Sequence, residues 1–339
     1  MPNAQAEGPL CASRERKTPG MRVWLAWVAA GWVALAAAAW VYAHFKAYPL
    51  WAALPVAAAF LIEFPFYLSP AFAGPRDWLA RQKKSGAAFW LALSAVAPWV
   101  VYSAATGQAH LLNAGLLLGV CLLVSFWYAA LPAAPVTDLL FLGLVAGIYI
   151  SKVFDSIYRS PIPKLQLSVL GHLMLIRTAA LAVLVLRGGV TAEYRFIPKR
   201  AEWAAGIRYF AMMLPVIAAA YWALGLVRWR PHPSYVALAA FPLVLWVVAL
   251  SEEFFFRGLL QEWLGAWTGS ANAALIAASL IFGSAHLGFH RIFPNWRWAI
   301  VAGILGVFCG LAWRSSRSVQ AAMVTHALTV TVWQVFLQQ

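Results

Sequence analysis

Long runs of apolar residues dominate this sequence, and they set the strictest limit on its fold. A helix needs roughly 20 apolar residues to cross the hydrocarbon core of a bilayer. Runs of about that length recur from residue 22 onward, and they predict an all-α polytopic transmembrane helix bundle of about 10–11 spans. The predicted spans are 22–43, 49–69, 87–105, 110–131, 137–154, 166–187, 208–227, 235–266, 271–289, 298–314 and 318–337.

The composition agrees with a membrane protein. Of the 339 residues, 63% are hydrophobic and 11% are charged, whereas a soluble domain carries about 25% charged residues. Tryptophans such as Trp24, Trp99 and Trp298 lie at the ends of apolar runs, as expected for aromatic belts at the membrane interface. The lipid bilayer is therefore the first partner that the sequence predicts.

The net charge of +14 does not indicate a nucleic-acid-binding protein. The basic residues form short clusters between the apolar runs, where such charges set membrane topology and contact anionic lipid. The clusters are Arg14, Arg16, Lys17 and Arg22; Arg76, Arg81, Lys83 and Lys84; and Arg195, Lys199, Arg200 and Arg208.

Polar stretches divide the chain into four predicted parts. Residues 1–21 form a polar N-terminal tail with no cleavage site after an apolar core, so the first apolar run is interpreted as a signal anchor. Residues 22–187 form an accessory transmembrane region of unknown role. Residues 188–207 are a polar, basic connection, and residues 208–339 form a second transmembrane region, the core that carries the motifs described below.

Two further patterns predict helix contacts. Small residues four positions apart, at Gly115/Gly119, Gly143/Gly147 and Gly306/Gly310, indicate close helix crossings or only the abundance of glycine in membrane helices. Glu63 is an acid inside an apolar run. It is expected to pair with a neighbouring helix, with His172 or Arg177 as candidate partners, or else to line a cavity.

A cluster of ionisable residues occurs in the last four predicted spans. Glu253 and Arg257 are four positions apart on a predicted helix, so they form an ion pair, while Glu252 points about 100° away and is free. His286 lies about as far after the break at 265–270 as Glu252 lies before it, which predicts similar depths. His326 adds a second imidazole inside the last apolar run.

These residues allow three kinds of chemistry. A carboxylate can activate water while one histidine positions that water and another stabilises an oxyanion. Alternatively, Glu252, His286 and His326 hold a catalytic zinc. As a third possibility, the same groups relay protons in a transporter. A non-catalytic scaffold or immunity-type membrane protein is a further alternative, in which these residues are only polar helix contacts.

The motifs resemble a known family. The run EEFFFR (252–257) fits E-E-x-x-x-R, FGSAH (282–286) fits F-x-x-x-H about thirty residues later, and His326 follows in the last apolar helix. In order and spacing, residues 205–337 are similar to the CAAX-protease and bacteriocin-processing family, also called Abi, of intramembrane endopeptidases.

The resemblance implies roles for these residues. Glu252 is implied as the general base, with His286 sharing the water and His326 holding the oxyanion. Glu253, Arg257 and Phe282 are implied as supporting residues, with no bound cofactor. Prenyl-protein members carry Asn four residues after the last histidine, whereas this chain has Val330. The resemblance therefore carries over neither that oxyanion donor nor prenylated substrates.

The expected function is hydrolysis of a membrane-anchored protein or peptide near the bilayer surface. The substrate class stays open between a prenylated tail, a leader peptide and the C-terminal anchor of a sorted surface protein. The composition, rich in Ala, Trp and Arg, is typical of bacteria with GC-rich DNA. It predicts a multi-pass protein of the bacterial inner membrane and favours the last two substrate classes.

Overall fold

A computed structural model describes residues 20–163, 165–226, 234–289 and 292–336. Residues 1–19 of the predicted polar tail lie outside the described residues. The described residues form fifteen α-helices and no strand. They are α1 Met21–Phe45, α2 Leu50–Leu68, α3 Ala73–Ala80, α4 Lys84–Thr106, α5 Leu111–Ala130, α6 Pro135–Ile150, α7 Val153–Ile157, α8 Ser168–Leu181, α9 Arg200–Ala223, α10 Ser234–Leu243, α11 Leu250–Glu253, α12 Glu262–Thr268, α13 Ala271–Ser284, α14 Trp296–Ser316 and α15 Val319–Phe336.

The prediction of an all-helical polytopic membrane protein is confirmed. Within the described ranges, nine helical segments are long and apolar enough to cross a membrane, and the shorter helices α6 and α13 are apolar too. One of the nine, Leu238–Thr268, joins α10, α11 and α12 through two π-helical segments, Val244–Ala249 and Phe254–Gln261. A π-helical turn inside a longer helix changes the directions of its side chains and often marks a functional site.

The largest departures from the predicted spans are at helix ends. The predicted connection 188–207 is non-helical only up to Lys199, because α9 begins at Arg200 with the Glu202 carboxylate accepting a hydrogen bond from the Lys199 backbone N–H at 2.6 Å. The predicted span 271–289 ends as a helix at Ser284. His286 therefore lies in the turn after α13 and not inside the helix.

A buried ion pair joins α2 to α8 in the accessory region. Arg177 Nε donates to Glu63 Oε1 at 2.6 Å, and Arg177 Nη2 donates to Glu63 Oε2 at 3.2 Å. Both side chains are almost fully buried. The same guanidinium donates to the side chain and backbone oxygens of Ser94 on α4. The predicted pairing of Glu63 is confirmed with Arg177, while His172 instead contacts the Ser168 carbonyl.

Two contacts join the accessory region to the C-terminal helices. Tyr67 on α2 donates to the Trp246 carbonyl at 2.8 Å. Arg187 forms a bidentate ion pair with the buried Asp138. Its guanidinium also lies over the ring of Trp263 on α12, 4.5 Å from the centroid, and this is the contact with the C-terminal helices. The sequence pattern did not single out Asp138 or Arg187, since each lies near the end of an apolar run.

The glycine pairs differ in their surroundings. A Cβ atom on Gly306 would lie 3.1 Å from Ser279 Cα, and one on Gly310 would lie 2.3 Å from Leu275 Cδ1. The predicted close crossing of α14 with α13 is therefore confirmed. At Gly115/Gly119 and Gly143/Gly147 the second alternative, the abundance of glycine in membrane helices, applies, because a Cβ at any of these four positions would meet no atom of the described residues within 4 Å.

Candidate active site

The two adjacent carboxylates have different surroundings. They occupy α11, between the two π-helical segments, where Ser251 Oγ donates back to the carbonyls of Val247 and Val248. The Glu253 side chain is 0% exposed, and the Glu252 side chain is 24% exposed. One carboxylate is thus enclosed by protein, and its neighbour faces an accessible space.

Glu253 accepts two charged or polar donors at one oxygen. Arg257 Nη1 donates to Glu253 Oε1 at 3.0 Å, which is the ion pair that the four-residue spacing predicts. His326 Nδ1 lies 2.7 Å from the same oxygen. Because a carboxylate only accepts hydrogen bonds, Nδ1 carries the proton in this contact. Glu253 Oε2 is buried without a hydrogen-bond partner among the described residues.

Arg257 also anchors the cluster to α14. Its Nη2 atom donates to the Gly306 carbonyl at 3.0 Å, and its guanidinium lies over the Phe282 ring, 4.5 Å from the centroid. The absence of a side chain on Gly306 leaves room for this guanidinium, since a Cβ there would lie 3.4 Å from Arg257 Nη2. Arg257 is buried, and its charge is balanced by Glu253.

Phe282 lies between the two histidines. Its ring is fully buried, with centroid distances of 4.9 Å to His286 and 5.9 Å to His326. His286 Nδ1 lies 2.9 Å from the Phe282 carbonyl. A carbonyl only accepts hydrogen bonds, so His286 donates from Nδ1. Phe282 therefore packs against both imidazoles and the guanidinium of Arg257.

His326 faces both carboxylates. Its Nε2 atom lies 3.9 Å from Glu252 Oε2, which is too long for a direct hydrogen bond. Glu252 makes no hydrogen bond with any residue that the structure describes, His286 included. The structure thus brings Glu253, Arg257, Phe282 and His326 into one contact network. Glu252 and His286 lie at its accessible edge.

The proposed zinc ligands do not come together in the described part of the chain. The group there whose potential ligand atoms lie within 4.8 Å of one another is Glu253, Cys309 and His326, not Glu252, His286 and His326. In that group the 2.7 Å contact between Nδ1 and Oε1 is a hydrogen bond, shorter than the separation of two ligands on one tetrahedral zinc. Neither set fits zinc well.

A cavity of about 800 Å³ lies away from these carboxylates. The start of α9, the end of α14 and the start of α15 line it, together with residues 191–193. Between this cavity and the cluster, Gly258 packs tightly: a Cβ there would lie 2.9 Å from Ala192 Cβ and 3.0 Å from Val319 Cγ2. The cavity is therefore a separate feature of the polar end of the bundle.

Comparison with known proteins gave one family match. Residues 233–332 match the model of the family described as type II CAAX prenyl endopeptidase Rce1-like. No curated protein and no protein of solved structure matches the chain at a significant level. All six residues of the E-E-x-x-x-R, F-x-x-x-H and last-helix motifs lie within 233–332. This segment is therefore similar to the Rce1-like family, and the resemblance to the CAAX-protease family is confirmed for it.

Proposed function

We propose that this protein is an intramembrane endopeptidase of the CAAX-protease and bacteriocin-processing type, and that Glu252 activates the water that hydrolyses the peptide bond. The observation that carries the proposal is the contrast between the two carboxylates. Glu253 is buried and neutralised by Arg257, whereas Glu252 is accessible and unpaired except for His326 at 3.9 Å. A free carboxylate beside a fixed network is suited to general-base catalysis. The match to a protease family supports the reaction class.

In the proposed reaction, a water molecule lies between Glu252 and His286. It donates one hydrogen to the Glu252 carboxylate and the other to Nε2 of His286, whose orientation is fixed by the Phe282 carbonyl. Its oxygen attacks the scissile carbonyl as Glu252 takes the proton. Collapse of the tetrahedral intermediate breaks the C–N bond, and Glu252 returns the proton to the leaving amine.

His326 is proposed to hold the oxyanion. Its Nδ1–H is committed to Glu253, so only Nε2 can reach the intermediate. To donate to the oxyanion, Nε2 must carry a proton as well as Nδ1, and the resulting cation would, together with Arg257, balance the charges of Glu252 and Glu253. A cluster with no net charge is the least costly one to hold in an apolar environment. In this proposal the side chains themselves activate the water and bind the oxyanion, so the reaction does not require a metal ion.

The proposed substrate is a membrane-anchored protein or peptide, and the proposed location is a bacterial inner membrane. Val330 takes the place of the Asn of prenyl-protein members. This difference favours a leader peptide or a C-terminal sorting anchor over a prenylated tail.

The test compares protein termini in cells that carry wild-type protein, Glu252→Gln or Glu193→Gln. Terminal-peptide mass spectrometry of membrane and secreted fractions identifies each cut site. Glu193 is half-exposed and outside the cluster, so it is a matched control for the same substitution. We expect uncleaved precursors only with Glu252→Gln. Identical termini in all three strains, with Glu252→Gln folded and at wild-type abundance, would rule out the protease and leave transport or scaffolding.

A further inference from the structure

The cavity of about 800 Å³ lies where three membrane-spanning helices begin or end. Helix α9 begins at Arg200, α14 ends at Ser316 and α15 begins at Val319. Trp313, near the end of α14, lines the cavity, and tryptophan is enriched at the level of the lipid head groups. The volume is ordinary for a small-molecule site, about 300–1,000 Å³. The cavity is therefore a compartment of ligand size at the membrane interface.

The α9 wall of this cavity combines small side chains with two cations. Three alanines lie one or two turns before Arg208 on the same face of the helix. They are Ala201, Ala204 and Ala205. Lys199 lines the cavity directly before the helix begins. Because the alanines fill little of the space, the long side chains of Lys199 and Arg208 have room to reach a ligand inside it.

Two of the three carboxylates that line the cavity are engaged by one arginine. Glu202 is paired with the Arg195 guanidinium and accepts a hydrogen bond from Ser318 Oγ at 2.7 Å. Glu193 Oε2 lies 2.8 Å from Nε of the same guanidinium. These carboxylates therefore hold the connection before α9 against the start of α15, and their charge is offset within the protein.

The third carboxylate is engaged as well, whereas two cations are not. Glu262 Oε1 accepts a hydrogen bond from Thr191 Oγ1 at 2.6 Å, and Arg317 Nη2 lies 3.8 Å from it. Lys199 and Arg208 form no ion pair with any residue in the described ranges. The charges left for a ligand are therefore positive.

We propose that this cavity binds a phosphate group through the Arg208 guanidinium and the Lys199 ammonium, and that the phosphate belongs to the head group of an anionic lipid. Arginine donates paired hydrogen bonds to phosphate, and lysine adds a point charge. The face of the Arg208 guanidinium lies over the Tyr209 ring, 5.0 Å from the centroid, which leaves its N–H edge for the ligand. A lipid is favoured as the source because the cavity lies at the head-group level. This inference does not rest on the proposed protease function.

The first test titrates phosphatidylglycerol into the purified full-length protein in detergent, and native mass spectrometry measures the affinity of the first bound lipid. Phosphatidylcholine is the control lipid, because its trimethylammonium group offsets the phosphate charge. We expect Lys199→Gln/Arg208→Gln to weaken the binding of phosphatidylglycerol about tenfold or more, as for the loss of hydrogen bonds between charged groups. Lys84→Gln/Arg159→Gln removes the same charge from exposed positions outside the cavity and should bind as wild type.

Arg208→Lys keeps the charge but cannot form the paired hydrogen bonds, so it should bind phosphatidylglycerol with intermediate affinity. It also provides a second variant if the double substitution prevents folding. Equal affinities of wild type and both cavity variants would overturn the site. An equal loss in Lys84→Gln/Arg159→Gln, or equal binding of the two lipids by wild type, would overturn it too.

Inorganic phosphate separates the two sources of the phosphate group. A rise in the thermal unfolding midpoint of wild type with phosphatidylglycerol, but not with millimolar inorganic phosphate, supports the lipid. The rise should be absent from Lys199→Gln/Arg208→Gln. An equal rise with both probes, again absent from that variant, would keep the phosphate site and overturn its assignment to a lipid.

Discussion

Glu253 Oε1 and His326 Nδ1 lie 2.7 Å apart, although 73 positions separate the two residues in the sequence. The same oxygen accepts Arg257 Nη1 at 3.0 Å. One buried carboxylate oxygen thus fixes a cation on its own helix and an imidazole on α15. With Nδ1 held in this way, the other ring nitrogen of His326 is directed to the side of Glu252.

Glu252→Gln and Glu253→Gln should fail in different ways. Glu253→Gln leaves the buried Arg257 without a counter-charge, and removal of one partner of a buried pair costs about 3–5 kcal/mol. We expect a lower midpoint of thermal unfolding in detergent and little folded protein. Glu252 is accessible and makes no direct hydrogen bond with a described residue, so Glu252→Gln should unfold at the wild-type temperature and lose cleavage.

One result of comparing Glu252→Gln with Glu253→Gln would contradict the roles assigned to these residues. Equal unfolding midpoints for Glu253→Gln and wild type, with cleavage lost in the former and kept in Glu252→Gln, would make Glu253 the base. The roles assigned to the two neighbours would then be exchanged.

Gly306→Ala should weaken the cluster from the side of α14. The new Cβ would lie 3.1 Å from Ser279 Cα and 3.4 Å from Arg257 Nη2, so the guanidinium that donates to the Gly306 carbonyl must move. Overpacking of this kind costs about 1–3 kcal/mol. The expected result is a lower unfolding midpoint together with slower cleavage of a synthetic peptide that spans a cut site found by the comparison of protein termini.

Gly303→Ala, one turn earlier on the same helix, is the matched control. Its Cβ would meet only the Ser279 carbonyl, at 3.9 Å, so it should behave as wild type. Equal effects of the two substitutions would attribute the loss to a general property of α14 and not to Arg257.

The sequence predicted contacts best where they are local. The Glu253–Arg257 pair follows from helix periodicity, and the break between α12 and α13 follows from the glycine at 269. The Glu253–His326 contact does not follow, because the packing of α15 against α11 depends on the whole bundle. Periodicity also assumed a regular α-helix, whereas the segment after Glu253 is π-helical.

Contacts between distant helices were predictable only when the pattern named a small set of partners. Glu63 had two candidates, and it pairs with Arg177 because a guanidinium can serve both carboxylate oxygens and Ser94 together. Glycine spacing succeeded at Gly306/Gly310, where a helix lies opposite. It did not indicate a close crossing at Gly115/Gly119, where an added Cβ would meet no atom of the described residues within 4 Å. The spacing describes one helix and carries no information about its neighbour.

The Glu63–Arg177 pair allows a prediction for the accessory region. Arg177→Met leaves Glu63 buried without its cation and should lower stability by about 3–5 kcal/mol. The double variant Glu63→Leu/Arg177→Met replaces both charges with apolar groups, so most of the loss should be recovered. Thermal unfolding in detergent of wild type, Glu63→Leu, Arg177→Met and the double variant forms a double-mutant cycle. Additive losses in the double variant would show that the pair is not coupled.

The last prediction concerns metal. Cys309, Glu253 and His326 form the group whose potential ligand atoms lie within 4.8 Å of one another. In the structure, however, a proton and not a metal ion joins Glu253 to His326, because the two form a 2.7 Å hydrogen bond. Metal binding would require that proton to leave. We therefore expect elemental analysis of the purified protein to find far less than one zinc per chain. Cleavage should persist after treatment with a chelator and in Cys309→Ser.

Stoichiometric zinc that is lost in Cys309→Ser together with activity would instead establish a metal centre at Glu253, Cys309 and His326. Glu252 would then act beside a metal-bound water.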